Sequence, residues 1–176
     1  MENLNDLLYL LIYARGKSMR DNENIPTKIH LQKEIFLLQR RYPFNELTHK
    51  YEFIPLYYGP FSKAVAIDLN TGIDMELISN NDNIILTPQD FKYASNIWNS
   101  LGEDYKKTII QIKEGFNRMT VEQLIDYVYE HYPKFAKKSA LSKGNVDNYF
   151  NQFCKEEELS DSYFVEIVRK SRGHIA

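Results

Sequence analysis

Tyr51-Glu52-Phe53-Ile54-Pro55-Leu56-Tyr57-Tyr58-Gly59-Pro60-Phe61-Ser62 is the stretch whose reading decides the fold. Tyr51 to Tyr58 is an aromatic, strand-like run, with Phe53, Ile54, Leu56 and Tyr57 as its apolar members. Pro55 has no N–H to give to a ladder, so the strand belongs at an edge or is irregular. Gly59 lets the backbone turn sharply. Pro60 suits a first helical position, because its φ is already helical and its missing donor is not needed there. The pattern therefore predicts a helix from Pro60 to Gly72, with Phe61, Val65, Ile67 and Leu69 as its apolar positions.

Upstream, Asn3 can cap a first helix in which Leu4, Leu7, Leu8 and Leu11 share a face, widened by Leu10 and Ile12. So apolar a helix is expected to be buried on most sides, and Gly16 ends it. Lys17 to Pro26 is polar and is expected to be a mobile loop. Thr27 caps a second helix running to about Arg41, with Lys33, Arg40 and Arg41 on its polar side. Pro43 bars continuation.

Downstream, Glu76 to Ser79 and Ile84 to Thr87 are β-prone runs around Asn80-Asn81-Asp82-Asn83, a hairpin signal. Thr87-Pro88-Gln89-Asp90 reads as a helix start with a capping hydroxyl, and Phe91, Ala94, Ile97, Trp98 and Leu101 follow at helical spacing. Tyr105, Ile109, Ile112 and Phe116 make another stripe. Thr120-Val121-Glu122-Gln123 is a capping box opening a helix that Pro133 closes. Beyond Ser139, periodicity does not decide between strand and helix.

Helix, helix, strand, helix, hairpin is the order of a winged-helix unit. The expected fold is mainly α with a small β-hairpin (α+β): a winged-helix-like core followed by a helical C-terminal half. Residues 1–140 form the domain, with the winged-helix-like unit over about 4–87 and a helical part over 88–140. Residues 141–176 are an extension left unassigned.

At 176 residues and 43% hydrophobic content the chain can bury a real core. A pI near 6.1 and net charge of −2 argue against a dedicated nucleic-acid binder, so any such surface would be local. The single cysteine, Cys154, excludes an intrachain disulfide or cysteine zinc site and favours a reduced compartment. Glu2 and Asp6 do not suit a signal peptide, and Leu7 to Ala14 is too short to span a membrane. A cytoplasmic protein without membrane association is expected.

No catalytic constellation is visible. Gly16-Lys17-Ser18 lacks the earlier glycine of a phosphate-binding loop, since Leu11 stands there. His30, His49, His131 and His174 show no metal-ligand spacing, and His131 suits a helix C-terminus electrostatically. Cys154 has no nearby histidine, and Glu156-Glu157-Glu158 reads as a solvated charge run. Neither an enzyme nor a cofactor is expected.

A DNA-reading helix offers Arg, Lys, Asn or Gln to base edges. From Pro60 to Glu76 the only base is Lys63, against Asp68, Asp74 and Glu76. Such a segment repels phosphate. A protein contact fits it better, with Tyr57, Tyr58 and Phe61 as anchors; alternation along a strand exposes only one of the two tyrosines. The N–H groups of Phe61 and Ser62, if free at the helix start, could bind an anion. The nucleic-acid contacts left open are Lys134, Lys137, Lys138, Lys143, Arg169, Lys170 and Arg172.

Three patches together resemble the Panacea-domain family, the SocA-like or YwgA-type antitoxin domain. They are Leu31-Gln32-Lys33-Glu34-Ile35-Phe36-Leu37-Leu38; Phe53 to Ser62 with Asp68 and Leu69; and Leu124-x-x-Tyr127-Val128-Tyr129-x-x-Tyr132-Pro133 with Lys138-Ser139. The chain departs from the family pattern at Gly72 to Ile78, which is looser and more acidic. The resemblance implies a non-catalytic protein that neutralises a partner toxin, encoded nearby, by direct contact. Its expected partner-binding residues are Tyr57, Tyr58, Phe61, Ser62, Lys63 and Asp68. A winged-helix DNA-binding regulator is the alternative. A protease adaptor using the Lys17–Pro26 loop and the tail is another.

Overall fold

The computed structural model describes residues 4–79 and 83–136. Six helices appear there: α1 (Leu4–Tyr13), α2 (Lys28–Leu38), α3 (Lys63–Asp74), α4 (Pro88–Ser100), α5 (Glu103–Phe116) and α6 (Val121–His131). Two short strands, β1 (Ile54–Leu56) and β2 (Gly59–Phe61), pair antiparallel, with Pro55 opposite Pro60. The protein is mainly helical with a small two-stranded sheet.

One apolar cluster runs from Leu7 on α1 to Phe135 after α6, so the first half and the helices from 88 onward share a core. α1 packs on α4, α3, α5 and α2, and α2 packs on α5, α6 and β2. Leu7, Leu8, Leu10, Leu11 and Ile12 are all fully buried, as an all-round apolar helix requires. Phe36 sits edge-on to Phe53, Tyr132 and Phe135 at 5.3, 5.1 and 4.8 Å. These offset ring contacts join the second and sixth helices to the chain leading into β1.

The second helix differs from its expected amphipathic form. Every residue from Lys28 to Leu38 is buried. Thr27 does cap it, accepting from the His30 amide at 3.1 Å. Lys33 is not on a polar face but inside, and Arg40 is half-buried with its guanidinium 3.5 Å above the Phe36 ring. The apolar residues fall on several sides of this helix, and elements cover it all round, so its polar residues are taken inside with them. His30, Gln32 and Lys33 survive there by bonding backbone.

Those bonds explain why Pro60 does not open a helix. Gln32 clamps both backbone groups of Ser62, accepting from its N–H at 2.9 Å and donating to its carbonyl at 3.0 Å. The Lys33 ammonium donates to the Pro60 carbonyl at 2.9 Å. Held this way, Gly59-Pro60-Phe61 stays extended as β2, and helix α3 starts three residues later at Lys63. Ser62 is its cap, accepting from the Val65 amide. Gly59 has a φ of +84°, which only glycine adopts without strain, and an added Cβ would sit close against Lys33, 3.3 Å from its Cε.

The Lys17–Pro26 loop is anchored rather than mobile. Asn22 pairs with both backbone groups of Leu86, at 2.8 and 2.9 Å, and Asn24 accepts from the Ile84 amide at 2.8 Å. Ile25 bridges Ile84, and Ile78 bridges Leu86, both antiparallel. The side-chain amides thus imitate a neighbouring strand. The expected hairpin of Glu76–Ser79 with Ile84–Thr87 survives as this Ile78–Leu86 pairing, and residues 80–82 at its tip lie outside the described residues. Thr87 precedes α4 but does not cap it; its hydroxyl donates instead to the Glu76 carbonyl at 2.6 Å. Thr120 and Gln123 form the expected capping box.

Candidate functional site

The hairpin and α3 place the six expected partner-binding residues at two depths. Tyr57 is half-buried, with its carbonyl accepting from the Tyr129 hydroxyl at 3.2 Å. Tyr58, Phe61 and Ser62 are 5%, 5% and 1% exposed. These three cannot be surface anchors; they fix the hairpin and cap the helix. The Ser62 amide is bonded to Gln32, so it is not free to bind an anion at this helix start. Lys63 is exposed and Asp68 half-buried.

Val65 and Leu69 turn α3 toward the core, which leaves Lys63, Ala64, Ile67, Thr71 and Asp74 facing solvent. Ile67, expected on the buried stripe, is 49% exposed, and Met75 just beyond the helix is 59% exposed. The outer face therefore carries exposed apolar side chains between one cation, Lys63, and one acid, Asp74.

On another side of α3 a group of carboxyls and phenols gathers from three helices. The Tyr51 hydroxyl donates to Asp68 Oδ2 at 2.6 Å. The Tyr93 hydroxyl, on α4, donates to Asp6 Oδ1, on α1, at 3.4 Å. Tyr9 of α1 reaches across to α3, where its hydroxyl stands 3.3 Å from the place a Gly72 side chain would begin. Asp90, in the first turn of α4, is 8% exposed, and its Oδ2 has no hydrogen-bond partner. Burial lifts the Asp90 carboxyl above its usual range. Burial, then the charges of Asp90 and Asp68, lift the Tyr9 phenol. The Tyr93 phenol is raised first by Asp6, then by burial, its bond to Asp6 and Asp90. Tyr51 is raised by burial and then by Asp68.

A second titratable group lies deep between α2 and α5. Lys113 is fully buried and donates to the carbonyls of Ile12 and Ala14, both at 2.6 Å. It thereby satisfies carbonyls at the end of α1. Burial lowers its ammonium to about 7, against the opposing pull of Glu34 and Glu23. Lys33 is likewise lowered to about 7 by burial. Glu34 is 0% exposed, neither carboxyl oxygen has a hydrogen-bond partner, and burial raises it well above its usual value. Nearby, an added Cβ at Gly16 would coincide with the Glu23 carboxylate, which accepts from the Ser18 amide at 2.6 Å.

Of the expected nucleic-acid contacts only Lys134 is described; it is exposed, its ammonium 5.5 Å from the Phe135 ring. Lys137, Lys138, Lys143, Arg169, Lys170 and Arg172 lie outside the described residues, as do Cys154, Glu156–Glu158 and His174. His30 is buried between the Thr27 hydroxyl and the Met119 carbonyl. His131 ends α6 and stacks on Tyr127 at 4.0 Å. Among the described residues no cluster of three or more His, Cys, Asp or Glu is arranged to hold a metal ion, and no helix is long and apolar enough to cross a membrane. A cleft of about 470 Å³ between Arg15, Trp98 and the start of α5 carries charges of both signs.

No family model matches the chain, and no curated protein or solved structure is detectably similar to it.

Sequence reading did not single out Gln32, Lys33, Glu34 and Lys113 as interior groups, or Tyr9, Asp90 and Tyr93 as neighbours. For α2 a signal existed: Leu31 lies off the stripe, which hints at burial all round. For the tyrosines and aspartates none did, since Tyr51 reaches Asp68 and Tyr93 reaches Asp6 only through tertiary packing.

Proposed function

We propose that this chain is a non-enzymatic, antitoxin-like protein that neutralises a partner toxin by direct protein–protein contact. In this reading α1, α2, α3 and the Ile78–Leu86 pairing form a winged-helix-like unit that has been turned to protein recognition. The resemblance of its three sequence patches to Panacea-type antitoxin domains supports it.

The observation that carries the reading is the solvent face of α3. A helix meant for the major groove presents cations and amides. This one presents Ile67 at 49% exposure between Lys63 and Asp74, with Met75 beside it. Exposed apolar side chains rimmed by charge suit a protein surface, where the apolar centre supplies affinity and the rim steers approach. Tyr57, Lys63 and Asp68 remain contact residues, joined by Ile67, while Tyr58, Phe61 and Ser62 hold them in place from beneath.

The test is genetic and cheap. A reading frame beside this gene is expressed alone and together with this chain. The expected result is growth arrest alone, relief by the wild-type chain, and loss of relief with Ile67→Asp, whose exposed position leaves folding intact. A harmless neighbour, or relief indifferent to Ile67, counts against the reading.

A further inference from the structure

We propose that the cleft of about 470 Å³ between the end of α1, the end of α4 and the start of α5 is a binding site for a free α-amino acid with an apolar or aromatic side chain. This goes beyond the protein-contact reading and does not depend on it.

Three kinds of group line the cleft, and they come from separate stretches of chain. Arg15, just past α1, is half-buried. Its Nε is shut from solvent without a hydrogen bond, so the guanidinium is seated in the wall, and its two Nη groups are the donors left open. Lys107 on α5 adds a second cation, and Asp21 and Asp104 are the acids of the same lining. Trp98 and Ile110, both half-buried, supply the apolar part. Trp98 is braced by Tyr13, with ring centroids 5.7 Å apart. The remaining charges, Glu103 and Lys106, answer each other at 3.0 Å. Among the described residues no hydrogen bond or ion pair joins Arg15 or Lys107 to Asp21 or Asp104, although all four line one cleft.

The occupant follows from that balance. With the Glu103–Lys106 pair set aside, cations and acids in the lining are equal in number and unpaired. A phosphate dianion would gain from Arg15 and Lys107 but be repelled by both aspartates, and a simple cation would meet the reverse. A zwitterion gains from both sets. A carboxylate is planar and matches the guanidinium fork, while an α-ammonium is a compact donor suited to an aspartate. Trp98 and Ile110 then take the apolar body. A volume within the roughly 300–1,000 Å³ of small-molecule sites, and an apolar wall with a few polar groups, fit such a guest.

The test uses the full chain. Trp98 is its single tryptophan, so tryptophan fluorescence reports this cleft alone. L-phenylalanine, 3-phenylpropanoate (no ammonium), phenethylamine (no carboxylate) and glycine (no apolar body) are titrated separately. The expected result is a saturable change with phenylalanine, with a Kd on the order of a millimolar, and responses at least about tenfold weaker from the other three. Arg15→Gln should weaken phenylalanine about tenfold. Asp104 is exposed on α5, so Asp104→Asn leaves folding intact; it should weaken phenylalanine and leave 3-phenylpropanoate unchanged. If Arg15→Gln does not fold, Asp104→Asn decides alone. No saturable response to phenylalanine, an equal response to any of the three analogues, or unchanged binding in the folded variants overturns the proposal.

Discussion

Glu34 and Asp90 are both buried, Glu34 with neither carboxyl oxygen hydrogen-bonded and Asp90 with its Oδ2 unpartnered, and they teach different things. Glu34 is sealed between α2 and α5, with the Lys113 ammonium as its electrostatic counterpart. Nothing from outside can reach it. Asp90 is 8% exposed, and burial alone raises its carboxyl, with no opposing cation among the causes. The first arrangement is internal architecture, in which charge is tolerated because backbone carbonyls and an opposite charge accompany it. The second is a buried acid whose shift is opposed by no cation. Charge balance separates the two; residue type does not.

Breaking the interior side of that comparison should give the largest effect. Lys113→Ala removes the counter-charge of Glu34 and leaves the Ile12 and Ala14 carbonyls unsatisfied, so unfolding free energy should drop by roughly 3–5 kcal/mol. Chemical denaturation measures this; a loss below roughly 1 kcal/mol would mean the buried group is not structural. Next, Gln32→Ala frees both backbone groups of Ser62 and should cost roughly 2–3 kcal/mol. Gly59→Ala, forced into φ +84°, should cost about 1–2 kcal/mol in the same assay. If either is silent, the clamp does not hold β2.

The pH dependence sharpens the comparison further. Glu34 has a raised folded value, so the folded chain holds its proton to higher pH than the unfolded chain does. Its contribution is fully present below the ordinary carboxylate value of 4.5 and is lost as pH rises through the folded value. Glu34→Gln keeps the shape without the titration. The stability of wild type relative to Glu34→Gln should therefore decline as pH rises from about 4.5. Lys33 runs the other way. Its folded value is about 7 against 10.5, so between those limits the unfolded chain binds more protons and stability rises with pH. Wild type relative to Lys33→Met should improve across that window, and a flat difference in either pair would remove these groups from the interior ledger.

The smallest effect belongs to Asp90. Asp90→Asn removes a charge that has no partner, so the thermal midpoint should stay or rise, within about 0.5 kcal/mol in stability. A large loss would show that Asp90 is an interior group like Glu34.

What could be read from the chain beforehand follows physical lines. Helices with one apolar stripe and a local cap were legible: Ile109, Ile112 and Phe116 on α5, and the Thr120–Gln123 box of α6, are signals contained within a few residues. Pro60 was misjudged because its conformation is set from outside, by Lys33 on a helix 27 residues earlier. The Lys17–Pro26 loop looked mobile by composition, yet Asn22 bonds Leu86 across 64 residues. Of the expected contact residues, Tyr58 is buried and Tyr57 half-buried, but both fall in the turn between β1 and β2, so strand alternation is not what divides them. The acidic α3 was visible in sequence; the bond from Tyr51 to Asp68 required tertiary packing.

The most direct measurement of the central claim is capture of the tagged full chain from its own host at about 0.5 M salt, which strips contacts built on phosphate. Wild type, Ile67→Asp and Asp90→Asn are compared, with bound protein and bound nucleic acid both analysed. The account predicts one stoichiometric protein partner that withstands the salt, is lost or reduced with Ile67→Asp and is kept with Asp90→Asn, whose side chain is buried. Salt-sensitive DNA with no protein, held equally by all three chains, would contradict it.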